Sequence, residues 1–124
     1  MIEHLEQIQS LLSSSPFVHD QSISFEDRRK AWFLRGDIYF IDNSRLHFRE
    51  LFVGEGNPVK LAYTYHYQRA DESMVFRYDN TPHFPHLSTA PHHKHIAEVE
   101  VVATAPPDFE TVLQEIESLI SAKK

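Results

Sequence analysis

The chain has no cysteine, so disulfides and thiolate metal sites are excluded, and a reducing compartment fits. It has no apolar run near the ~18 residues that a membrane helix needs. Its first residues, "MIEHLEQIQSLL", carry acidic side chains and no basic stretch, so they do not read as a secretory signal. A cytoplasmic protein with no membrane contact is expected. Positive charge is also scarce: 12 Lys and Arg stand against 18 Asp and Glu, a formal net charge of -6. That balance argues against non-specific nucleic-acid binding but leaves room for a small cationic site. A hydrophobic fraction of 41% suffices for a core, and 124 residues predict one domain, residues 1–124.

Two helices bracket the chain. Ile2, Leu5, Ile8 and Leu12 fall at helical spacing until Ser13 to Pro16 stops them. Phe109, Leu113, Ile116 and Ile120 repeat that spacing after Pro106 and Pro107, with Asp108 as the expected N-cap. Lys123 and Lys124 follow, where the negative end of the helix dipole favours cations.

Between the helices the period is two. "AWFLRGDIYFI" and "RLHFRELFV" each place apolar residues on one face, joined by "DNS" as a three-residue hairpin loop. That loop sets Phe40 against Leu46, Ile38 against Phe48 and Leu34 against Phe52, and Asp37 against Arg49 on the polar face. "VKLAYTYHYQR" and "SMVFRYD" form a second hairpin, by a loop of two or four residues. Its register pairs Tyr65 with Tyr78, Tyr67 with Phe76 and His66 with Arg77. The tyrosine stripe reads as a core or half-buried sheet face. "QSISF" supplies a first strand and "EVEVVAT" a last one. The predicted class is α+β: an N-terminal helix, a mostly antiparallel sheet of about five to six strands, and a C-terminal helix.

Arg77 to Ile96, "RYDNTPHFPHLSTAPHHKHI", holds five of the nine histidines and three prolines. The prolines forbid a helical ligand pair and favour an ordered loop. Two chemistries suit it. A metal centre would draw on Asp79 with His83, His86, His92 or His95, although no known ligand spacing is present. Metal-free RNA cleavage would use imidazoles as base and acid and Arg or Lys as phosphate clamp. His66, Arg77, Tyr78 and Lys94 join the loop histidines in that inventory. Ordinary loop filler, with each ring bonded to backbone, is the third reading.

The segments "YTYHYQ", "FRYDNTPHFPHLSTAPHHKHI" and "FETVLQEIE", in this order and spacing, resemble the TumE-like family of toxins from prokaryotic toxin–antitoxin modules. The matching positions are Arg77, Asp79, Asn80, Pro82 and His83, then Pro91, His92, His93, Lys94 and His95. The resemblance implies a toxin role and an antitoxin partner similar to a helix-turn-helix regulator. RNA is the expected target, cleaved without metal or other cofactor. The candidate catalytic residues are His66, Arg77, Asp79, His83, His92, His93, Lys94 and His95. Among them His83 or His92 serves as base or acid, Arg77 and Lys94 clamp phosphate, and Asp79 orients a histidine. The alternative is a non-catalytic metal-binding or protein-interaction module built on the loop.

Overall fold

A computed structural model describes residues 1–123; Lys124 lies outside the described residues. The fold is α+β. Helix α1 (Ile2–Ser14) leads into seven strands: β1 (Val18–Asp27), β2 (Ala31–Phe40), β3 (Arg45–Val53), β4 (Val59–Gln68), β5 (Met74–Asp79), β6 (His93–Ile96) and β7 (Glu100–Ala103). Helix α2 (Phe109–Ser121) closes the chain. The strands form one antiparallel sheet in chain order, each beside its sequence neighbours.

Period-two patterning gives the sheet two different faces. Leu34, Ile38 and Phe40 of β2, Leu46 and Phe48 of β3, Tyr63, Tyr65 and Tyr67 of β4, and Phe76 and Tyr78 of β5 form one buried layer. Ile8 and Leu12 of α1, and Phe109, Val112, Leu113, Ile116 and Ile120 of α2, complete the same core. Full burial of each such side chain contributes about 1.5–3 kcal/mol. Both helices therefore lie on this one face, and the other face of the sheet is left open. The tyrosine stripe is core, as expected.

Local chemistry fixes the elements. The Asp108 carboxylate caps α2 by accepting the Thr111 amide at 2.8 Å. Among the described residues, Glu50 is the buried carboxylate under the helices. His4 of α1 contacts it at 2.7 Å, Lys60 pairs with it at 3.2 Å, and the Tyr65 hydroxyl donates to it. Burial pushes its carboxyl up, but these partners outweigh that and hold it below the usual range. Gly36 lets β2 approach closely: a Cβ there would stand 2.8 Å from both Phe48 Cε1 and the Ser22 carbonyl oxygen.

Three expectations change. The sheet has seven strands rather than five or six, because His93–Ile96, read as loop, pairs with both β5 and β7. The β2–β3 loop has three residues but sits one position earlier. Phe40 and Ser44 close it around Ile41, Asp42 and Asn43, with Asn43 at φ 68°. The register therefore shifts by two: Ile38 pairs with Leu46, Gly36 with Phe48, Asp37 with His47 and Arg35 with Arg49. Faces are preserved, since two residues is one full period. The third change is in the β4–β5 loop, which is Ala70 to Glu72, neither two residues nor four, with Glu72 at φ 72°. A bulge between Tyr67 and Gln68 then restores the expected pairing of His66 with Arg77 and Tyr65 with Tyr78.

Candidate active site

The open face of the sheet is where polar chemistry collects. Register alignment lays its side chains in two rows across the strands. One row runs His93, Asp79, Thr64, Arg49, Arg35. The next runs His95, Arg77, His66, His47, Asp37. Across β2 to β6 this face presents Arg35, Arg45, Arg49 and Arg77 against Asp37 and Asp79, in a chain of net charge -6. These are four of the chain's twelve Lys and Arg, while β1 adds Asp20 and Glu26 at the far edge of the same face.

The densest cluster lies where β5 meets β6. Asp79 is buried, and its Oδ1 accepts the Thr81 amide at 3.0 Å and the Thr81 hydroxyl at 2.8 Å. Its Oδ2 accepts Arg77 Nε at 3.1 Å. Burial raises the Asp79 carboxyl, but Thr81, then His93 and Arg77, outweigh it and hold the group below the usual carboxylate range. Arg77 also reaches His95 Nε2 at 3.1 Å through its Nη2. A guanidinium only donates, so His95 accepts there through a lone pair. Burial first, and the Arg77 charge second, push the His95 imidazole below its ordinary value. His66, the cross-strand partner of Arg77, is pushed down by burial, Arg77, His47 and Arg45.

His93 has no exposed surface. Its Nδ1 lies 2.9 Å from the Pro91 carbonyl, which accepts only, so Nδ1 carries a proton. Nε2 then faces Asp79 Oδ1 at 2.9 Å, an ion-pair distance outside hydrogen-bond alignment. Phe84 from the loop caps the cluster edge-on, 4.8 Å from the His93 ring and 5.7 Å from His95. One ligand atom each from Asp79, His93 and His95 lies within 4.8 Å of the others, so these three residues are the group able to hold a metal ion among the described residues. Arg77 stands against two of them.

A family model described as Toxin TumE matches residues 8–123. This chain belongs to the TumE toxin family. No curated protein and no solved structure matches it. The TumE match runs from inside α1 to beyond α2 and spans the whole Arg77–Asp79–His93–His95 cluster. A toxin-family chain of this kind implies an antitoxin partner. No helix among its described residues is long and apolar enough to cross a membrane.

In this TumE-family chain seven of the eight candidate residues divide between the two faces, and His83 lies on neither. His66, Arg77, Asp79, His93 and His95 share the open face. Lys94 does not: it lies under α2, paired with Glu115 at 2.7 Å and stacked over Tyr78 at 4.8 Å and Phe76 at 5.1 Å. Strand alternation turns it away from Arg77, so the two cations do not form one clamp. His92 is also on the helix side, stacked on Tyr63 and hydrogen-bonded to its hydroxyl at 2.9 Å. Burial, then Asp79 and Tyr78, push the Tyr63 hydroxyl up to about 12, so it stays protonated. His83 is exposed in the loop, and no described contact ties it to the cluster.

The sequence reading missed Arg35, Arg45, His47 and Arg49. Their signal was present, since all four occupy the polar positions of the alternating β2 and β3 segments. The two-residue register error kept Arg35 and Arg49 from meeting on paper.

Proposed function

We propose that this TumE-family toxin cleaves RNA on its open sheet face, by metal-free acid–base chemistry at the Arg77–His95–His66 row. The observation that carries this reading is the clustering of imidazoles and a guanidinium around a buried carboxylate on the one uncovered face. His95 is the base. Phosphate entering the site draws the Arg77 guanidinium off His95 Nε2, and the freed lone pair takes the ribose 2′-OH proton. The 2′-oxygen bonds to phosphorus, the bond to the 5′-oxygen breaks, and protonated His66 supplies the proton to that leaving oxygen. Arg77 neutralises the extra charge of the phosphorane. Asp79 and His93 are positioning residues: Asp79 fixes the Arg77 fork, and buried His93 braces Asp79. The partner that silences the toxin is an antitoxin similar to a helix-turn-helix regulator, and the compartment is the cytoplasm.

Growth tests the reading. Induction without antitoxin should slow growth, and His95→Ala or Arg77→Ala should restore it at equal levels of folded protein. Variants as inhibitory as the wild type would refute the assignment. One observation favours a second reading, a metal centre: His93 Nε2 is buried without an aligned hydrogen-bond partner, and it points at a carboxylate. An ion bound by Asp79, His93 and His95 would satisfy it, with Arg77 swinging outward. Under that reading the loop would serve a metal-binding or protein-interaction module without catalysis.

A further inference from the structure

We propose that Arg35 and Arg49 form a second phosphate subsite, which holds the backbone of single-stranded RNA next to the cleavage site. This rests on the RNA reading above and extends it to how the strand is seated. Arg35 and Arg49 are direct cross-strand partners on the open face. Like charges in that position repel, at a cost the fold carries for no visible structural return. Both side chains are exposed, and among the described residues neither has a carboxylate, carbonyl or ring partner. The other two arginines of this face are engaged, Arg45 with Gln68 at 2.8 Å and Arg77 with Asp79 and His95. An anion between Arg35 and Arg49 converts the repulsion into a two-sided clamp.

The surroundings say which anion. The pair flanks a cavity of about 210 Å³ whose wall includes Phe33, Leu51, Thr64 and Thr81. Phe33 and Leu51 provide an apolar surface of the kind a nucleobase covers, so a nucleotide fits better than a bare phosphate. Thr81 joins the two sites, because it lines this cavity and also donates twice to Asp79. Thr64 lies between Arg49 and Asp79 in the same row. At ~4.8 Å per strand Arg49 and the Asp79 position are about 10 Å apart, within reach of neighbouring nucleotides on one strand. Non-specific basic surface does not account for this, since the rest of the chain is acidic.

Binding of a labelled 2′-O-methyl oligoribonucleotide of about six residues, which cannot be cleaved by 2′-OH attack, tests the subsite across a salt series. Arg35→Gln with Arg49→Gln should weaken binding by roughly tenfold or more at ~0.1 M salt, and flatten the log–log salt slope by about 0.7 for each phosphate that is no longer neutralised. Lys30→Gln, which removes one cation outside the groove, should change neither. The double variant should melt no lower than the wild type, because it relieves a like-charge contact. A double variant with wild-type affinity and slope, or a wild type that binds no better than the double variant, overturns the subsite. The same proteins are assayed in parallel on cleavable RNA. Arginine-dependent binding without any cleavage would keep the subsite and discard the catalytic reading; cleavage with arginine-independent binding would do the reverse.

Discussion

Replacing Asp79 with Asn removes one charge from the centre of the site and almost no volume. The carboxylate accepts the Thr81 amide and hydroxyl and Arg77 Nε at 3.1 Å, and lies 2.9 Å from His93 Nε2 without an aligned hydrogen bond, with its side chain 4% exposed. An asparagine oxygen can keep the Thr81 hydrogen bonds. Its amide nitrogen then faces Arg77, donor against donor. A charge-assisted hydrogen bond of about 1.5–3 kcal/mol is lost. Stripping a buried partner costs about 3–5 kcal/mol when the other charge is sealed in. The Arg77 side chain is 35% exposed, so water recovers part of that. A net loss of about 2–3 kcal/mol is expected. With a urea slope of ~2 kcal/mol per M, the midpoint should fall by about 1–1.5 M at pH 7. The sign with pH follows from the lowered carboxyl. Its stabilisation is complete above the unfolded value near ~3.9 and disappears as pH falls through the lower folded value. Wild type and variant should therefore converge as pH falls through that lowered folded value. Midpoints within ~0.3 M at pH 7, or a gap that persists under acid, would refute this reasoning.

Two further outcomes follow. Gly36→Ala should destabilise by about 1–3 kcal/mol in the same urea assay, because Phe48 and the Ser22 carbonyl leave no room for the methyl; an unchanged midpoint would contradict that packing. The pH profile of kcat/KM for RNA should be a bell with its maximum below ~6.5, since both His66 and His95 are held under the ordinary imidazole value. Activity falls on the acid side as His95 gains a proton and on the alkaline side as His66 loses one. Arg77→Gln should move the residual bell upward, and an optimum above ~7.5 in the wild type would be incompatible with these roles.

Much of this fold is legible in the residues. Helical spacing located α1 and α2, and the alternating tyrosines of β4 fixed the β4–β5 register, because only one alignment sets aromatic against aromatic. The β2–β3 register was not legible to the residue. "IDNS" offers two adjacent three-residue loops, and the choice depends on Asn43 adopting a positive φ, which composition does not dictate. β6 was hidden for a different reason. Three prolines mark the segment before it as loop, and "HHKH" has no apolar alternation to announce a strand. His93 is buried by Phe84 and Asp79 rather than by its own hydrophobicity. Once β6 is a strand, alternation separates His93 and His95 from His92 and Lys94. Contiguity in sequence had made those four residues look like one site.

The most direct test of metal-free catalysis on the open face is cleavage of a labelled RNA by native, untagged protein in excess chelator. The wild type should retain full activity, His95→Ala and Arg77→Ala should lose it while remaining folded, and Lys94→Ala should lose far less, because Lys94 lies under α2. Activity that vanishes with chelator and returns on adding zinc would contradict the account and make Asp79, His93 and His95 metal ligands.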